Sequence, residues 1–290
     1  MRSVPVAVVL CALLVSGCAT ASGGPSPSAG GLLATSARAS ASASLSSETV
    51  GIAVIGHSGA TGYDSDPDRP GEDVRANSWA TGTNPQVHSI YLRLLAGDPS
   101  LKGHTLNLAI DGTDVVSLIA QASQLAGRLP GAELVLVQSI DNDIRCDGTD
   151  AANYQQYRTK LTQVLDILTH DLPKATIFFV SQWATVATYD RVVFSLKPGH
   201  LTGDGPCDTV DFATGQIDAA KEVFLQGLVT DYWDIVTETC ALYVVCRTDG
   251  GAMQQMDLVA GDLASDLSHL SVAGHAKMAA MVWEALNGSP

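Results

Sequence analysis

The sequence predicts an α/β fold, a parallel sheet with helices on both faces, and three observations carry that prediction. Short, unbroken apolar runs rich in β-formers recur along the chain, as expected of strands buried on both sides. Between them lie longer stretches with apolar residues three and four apart, the spacing of amphipathic helices. The two kinds of segment alternate, which favours parallel strands joined by helical crossovers.

The first strand is expected at residues 50–55, where Val-Gly-Ile-Ala-Val-Ile ends at Gly56. Similar runs occupy 105–109, 134–138 and 176–181, with a weaker strand expected near Ile235 and another at 242–245. Helices are expected at 87–96, 115–129, 151–168, 217–232 and 272–286. Segments 63–73 and 184–214 break the rhythm and are expected to be surface loops. No unit of 20–50 residues repeats, which argues against a solenoid or propeller.

Of 290 residues, 46% are hydrophobic and 16% charged, a balance that excludes a wholly disordered, collagen-like or polytopic membrane protein. Sixteen Lys and Arg against 30 Asp and Glu give a formal charge of −14. Such a chain repels phosphate backbones, so no nucleic-acid partner is expected.

Residues 1–17 carry Arg2, an apolar stretch and small residues before Cys18, which reads as a signal peptide. Leu14-Val15-Ser16-Gly17-Cys18 resembles a bacterial lipobox, so Cys18 is expected to be lipidated and to anchor the chain outside the cytoplasmic membrane. Residues 18–48, almost all Ala, Ser, Gly and Pro, are expected to form a flexible tether, leaving 49–290 as the folded domain. A monomer is expected.

Apart from Cys11 and Cys18, the cysteines are Cys146, Cys207, Cys240 and Cys246. In an exported chain four cysteines favour two disulfides. Of three connectivities, Cys240–Cys246 with Cys146–Cys207 is preferred. A zinc site is the rival, but no Cys-x-x-Cys pair is present.

Ligands of open parallel sheets bind beyond the carboxyl ends of the strands, so the residues after each apolar run are the candidates for chemistry. The first run leads into Gly56-His57-Ser58-Gly59, the second into Asp111-Gly112-Thr113 and the third into Ser139-Ile140-Asp141-Asn142-Asp143. Near the end comes Asp266-Leu267-Ser268-His269. A carboxylate three residues before a histidine can hold Nδ1–H while Nε2 faces a serine.

In this order and context the four blocks resemble those of the SGNH (GDSL) hydrolase family, over about residues 50–286. The resemblance implies a flavodoxin-like, three-layer α/β/α sandwich and a serine esterase without metal or organic cofactor. It makes Ser58 the nucleophile, His269 the general base and Asp266 its orienting carboxylate. The oxyanion hole would comprise the Ser58 and Gly112 backbone N–H groups and the Asn142 amide. Two positions depart from the pattern: His57 stands where the family has aspartate, and Ile140 where it has glycine.

Other readings of single motifs are weaker. Ala60 replaces the last glycine of the Gly-x-Ser-x-Gly elbow of α/β-hydrolases, and no sheet precedes the serine. Asp64-Ser65-Asp66-Pro67-Asp68 lacks the offsets of a calcium loop and reads as a solvated acidic loop. Trp183 is the best candidate for a substrate-lining ring, with Trp79, Tyr189 and Trp233 behind it. His275 is expected to be structural. The expected activity is extracytoplasmic hydrolysis of a lipid, glycan or small ester; an O-acyltransferase, or an inactive binding protein of the same fold, is the alternative.

Overall fold

A computed structural model describes residues 51–202 and 207–288. The signal segment 1–17, the lipidation candidate Cys18 and the tether to residue 48 lie outside the described residues. Five parallel strands form the sheet: β1 (Ile52–Ile55), β2 (Thr105–Asn107), β3 (Leu134–Gln138), β4 (Thr176–Val180) and β7 (Cys246–Thr248), in the order β2-β1-β3-β4-β7. Two short strands, β5 (Val210–Asp211) and β6 (Gln216–Ile217), pair antiparallel in a separate hairpin.

Alternation along the strands builds two cores, because successive side chains point to opposite faces. Ile52, Val54, Leu134, Leu136, Phe178 and Val180 face one way, against α2 (Ile90–Gly97), α5 (Val186–Leu196) and α7 (Val272–Leu286). Ala53, Ile55, Val135, Val137, Ile177 and Phe179 face the other, against α3 (Val115–Arg128), α4 (Asp150–Asp171) and α6 (Ala219–Cys240). The result is a three-layer α/β/α sandwich. Phe178 and Phe179 are both fully buried on opposite faces, each contributing roughly 1.5–3 kcal/mol relative to exposure.

The helices start where side chains cap them. Ser89 accepts from the Leu92 N–H, Asp114 from Ser117, Thr185 from Thr188 and Ser271 from Gly274. Each satisfies an otherwise orphaned first-turn donor, an effect of about 1 kcal/mol.

Three expectations need correction. The weak strand near Ile235 is part of α6, whose apolar face runs through Val229, Tyr232, Trp233, Val236 and Cys240 at helical spacing. Residues 242–245 form a turn that exposes Leu242 and Val244, and the strand starts only at Cys246. Segment 184–214 is not simply loop: α5 buries Asp190, Val192 and Val193, and the β5–β6 arm begins after it.

Disulfides join Cys146 to Cys207 and Cys240 to Cys246. The second links the end of α6 to the start of β7, holding that edge strand against β4. Among the described residues no helix is long and apolar enough to cross a membrane.

Candidate active site

The sheet order reverses at β1, with β2 on one side and β3 on the other. That switch point opens a crevice beyond the carboxyl ends of β1 and β3. β1 ends at Gly56, whose φ of +148° favours glycine and where a Cβ would strike the Gln138 carbonyl. Gln121 of α3 grips this residue on both sides, accepting from Gly56 N at 2.7 Å and donating to Gly56 O at 2.9 Å.

A short helical turn, α1 (Ser58–Thr61), follows at once. His57 caps it: its Nδ1 accepts from Gly59 N at 3.1 Å. The imidazole thus performs the capping task an aspartate could perform, which gives the sequence departure at this position a structural role. Buried Trp79 donates to the Gly59 carbonyl at 3.1 Å and to Gln138 Oε1 at 3.2 Å, securing the turn from beneath.

Ser58 Oγ lies 2.8 Å from His269 Nε2, and His269 Nδ1 lies 2.5 Å from Asp266 Oδ2. Three groups from opposite ends of the chain therefore form one hydrogen-bonded line. Asp266 Oδ1 also accepts from the Ser268 and His269 N–H groups, each at 3.0 Å. Burial opposes ionisation of Asp266, but the hydrogen bond and charge of His269 and these backbone donors prevail, holding its carboxyl below the usual range.

The loop carrying Asp266 and His269 is pinned by Asp64 and Tyr189, a task the sequence assigned to neither. Asp64 Oδ2 accepts from Ser265 Oγ at 2.9 Å and Asp266 N at 3.0 Å, while its Oδ1 accepts from Gly71 N at 2.6 Å. Asp64 and Ser65 are buried, so the expected solvated acidic loop is instead, at its first residues, a strut under the Asp266 loop. Leu267 adopts φ +60°, and the Tyr189 hydroxyl donates to its carbonyl at 3.1 Å. The Tyr63 ring packs 4.8 Å from the His269 imidazole, tilted by 55°. Beneath it His275 is buried, and burial with the nearby His269 charge pushes its pKa down to about 3, so it stays neutral.

Asn142 is exposed beside Ser58 in the crevice, and its amide donates to the Thr113 carbonyl at 3.0 Å. Gly112, at φ +68°, sits on the exposed turn just before Thr113, the residue whose carbonyl accepts from Asn142. Asp143 receives the Val115 N–H at the start of α3 at 3.0 and 3.2 Å, and burial raises its pKa to about 7. Ile140 holds φ +90°, a conformation that favours glycine and that costs a β-branched residue on the order of 1–3 kcal/mol. The glycine expected by resemblance at this position is thus a backbone requirement that Ile140 meets under strain.

Asp141 stands 3.4 Å from His57 Nε2, and Gln182, with its amide turned to donate, reaches both Asp141 oxygens at 2.9 and 2.6 Å. Burial nevertheless pushes the Asp141 carboxyl up, partly offset by the His57 charge.

The crevice widens into a cleft of about 460 Å³. Ser58 and His269 lie in its lining with Asn142, Trp183, Tyr189 and Asp190. Cys207 also lines it, so the Cys146–Cys207 disulfide braces this wall. Trp79 is buried under the Ser58 turn and Trp233 within the α6 face, away from the cleft lining. Among the described residues no three His, Cys, Asp or Glu side chains are grouped to hold a metal ion.

Fold and site together define a three-layer α/β protein with a Ser-His-Asp line at the switch point of its sheet. Among solved structures the chain is similar to TesA, at 12% identity over 82% of this chain and 99% of that one, with a TM-score of 0.49. It is similar also to a family 3 carbohydrate esterase from Clostridium thermocellum, at 13% identity, 81% and 94% coverage and a TM-score of 0.48. A GDSL-like lipase from Bacteroides thetaiotaomicron matches at 10% identity, 84% and 90% coverage and a TM-score of 0.44. No protein-family model and no curated protein matches the sequence.

Proposed function

We propose that the protein is a serine ester hydrolase of the SGNH (GDSL) kind that works through an acyl-enzyme. The observation that carries this reading is the Ser58–His269–Asp266 line, 2.8 and 2.5 Å between successive partners, opening on the 460 Å³ cleft. Ser58 Oγ attacks the ester carbonyl carbon while its proton passes to His269 Nε2. The tetrahedral intermediate then expels the alcohol, which takes that proton. Water, deprotonated by His269, attacks the acyl-Ser58 carbonyl; the acid leaves and Ser58 regains its proton.

Asp266 stays ionised and stabilises the imidazolium formed in each half-reaction. The developing oxyanion is held by the Ser58 N–H and the Asn142 amide. The Gly112 N–H is assigned as a third donor through the resemblance, from the turn whose next carbonyl holds Asn142. The two disulfides support an extracytoplasmic setting. The lipobox-like residues ending at Cys18 support anchoring there through lipid.

Release of p-nitrophenol from acetyl, butyryl and octanoyl esters tests this reading. Saturable release from one or more of them is the expected result, and the chain-length profile ranks acetyl esterase against lipase. No release above buffer from any ester contradicts it.

A further inference from the structure

The wall of the cleft supplied by α5 contains a feature that the hydrolytic steps do not use. Asp190 is 1% exposed yet lines the cleft, and its Oδ2 has no hydrogen-bond partner. The Thr209 hydroxyl donates to the same carboxyl group, and the Glu222 carboxyl of α6 lies within hydrogen-bond reach of it; burial, reinforced by Glu222, pushes the Asp190 carboxyl up to about 6, above which both acids are ionised. A carboxylate oxygen left buried without a donor is costly, and a second carboxylate beside it adds negative charge. The site calls for a positive group to come from outside.

Its surroundings point the same way. Trp183 and Tyr189, in the same lining, pack edge to face with ring centroids 5.8 Å apart. Aromatic rings attract cationic nitrogen through their negative π-faces, most strongly where water is displaced. Among the described residues lining the cleft there is no Lys or Arg, whereas Asp141 and Asp190 both belong to it. An anionic substrate group meets no Lys or Arg in this lining, and a cationic one at the α5 wall meets the Asp190 carboxyl and two rings.

We propose that the Trp183, Tyr189 and Asp190 wall, backed by Glu222, is a subsite for a cationic nitrogen, so that the protein selects esters carrying an ammonium group. The inference deepens the esterase reading and rests on Ser58 cleaving the ester in the same cleft. Asp190 acts here on substrate selection and takes no part in proton transfer.

Acetylcholine and 3,3-dimethylbutyl acetate test this directly, since they differ in charge and hardly in shape. The protein is expected to show a higher kcat/KM for the cationic ester by between about 2-fold and 30-fold. Asp190→Asn is expected to bring the ratio close to one. Because the ratio compares two esters on one preparation, partial loss of folded protein cancels; if Asp190→Asn does not fold, Glu222→Gln serves, with a smaller fall in the ratio. Tetramethylammonium binding to Ser58→Ala, measured by calorimetry with and without Asp190→Asn, gives a reading independent of turnover.

Equal rates for the two acetates, or a faster neutral one, alongside p-nitrophenyl acetate turnover overturn the subsite and leave the esterase standing. Binding of tetramethylammonium that depends on Asp190, with no turnover of any ester, upholds the subsite and overturns the esterase. A cationic preference unchanged in both variants overturns the role of this wall.

Discussion

Ser58→Ala and His269→Ala are each expected to lower kcat for p-nitrophenyl acetate by roughly 10⁴-fold or more, with the double variant little worse than either alone. The reason lies in the geometry: Ser58 Oγ has its only strong route to a nucleophile through the 2.8 Å bond to His269 Nε2. Without the imidazole the hydroxyl keeps its proton; without the hydroxyl the imidazole has nothing to activate in the first half-reaction. Both side chains are half-buried at the cleft floor rather than packed in a core, so melting temperatures are expected to stay close to that of the parent.

The same line fixes the sign of the pH dependence. Asp266 is held below the ordinary carboxylate range, so it remains ionised throughout the range from about pH 5 to 8. Acidification therefore acts on the imidazole: a protonated His269 cannot accept the Ser58 proton, and kcat/KM falls as the pH drops. A flat profile over that interval contradicts a histidine base.

Asn142→Ala is expected to lower kcat by about 10²- to 10³-fold, corresponding to roughly 2.7–4 kcal/mol of transition-state stabilisation, with little change in KM. Asn142 is suited to this task because its amide is already oriented. One N–H is committed to the Thr113 carbonyl at 3.0 Å, which leaves the second hydrogen of the same nitrogen for an oxyanion. Thr113 is itself held, since Gln121 donates to its hydroxyl at 2.8 Å while gripping Gly56 with its remaining contacts. Asn142 and the Ser58 turn are thus both referred to one buried glutamine. A loss in KM alone, with kcat intact, assigns Asn142 to ground-state binding instead.

The parallel sheet was legible because central strands must be apolar on both faces, and β1, β3 and β4 are written as unbroken runs. β7 was not, since it lies at the sheet edge and reads Cys-Arg-Thr. Its neighbour Val244, apolar but fully exposed, drew the expected strand four residues too early. Ile235 misled for the opposite reason: a residue on the buried face of a long helix looks locally like part of a strand.

Ser58 and Asn142 stood out in the sequence as residues just past apolar runs, and Asp266 and His269 as a carboxylate three residues before a histidine; the structure brings Ser58, His269 and Asp266 into contact across 211 residues of sequence separation. Asp64 did not stand out, because a carboxylate between Tyr and Ser in a polar loop looks solvated until the Asp266 loop is packed on it. Gln121 is an ordinary helical residue in sequence, and only the fold places it beside Gly56. Asp190 was hidden in a segment expected to be loop, since α5 is only 11 residues long and is followed, after Lys197, by Pro198-Gly199 and a polar, Gly-rich stretch.

The central claim is that Ser58 becomes covalently acylated in this cleft. Labelling with a fluorophosphonate, read by intact mass and peptide mapping, tests it most directly, because the reagent needs an activated serine and no knowledge of the natural ester. The account predicts one adduct per chain, located on Ser58 and lost in His269→Ala. An unlabelled protein, or an adduct on another residue, contradicts it.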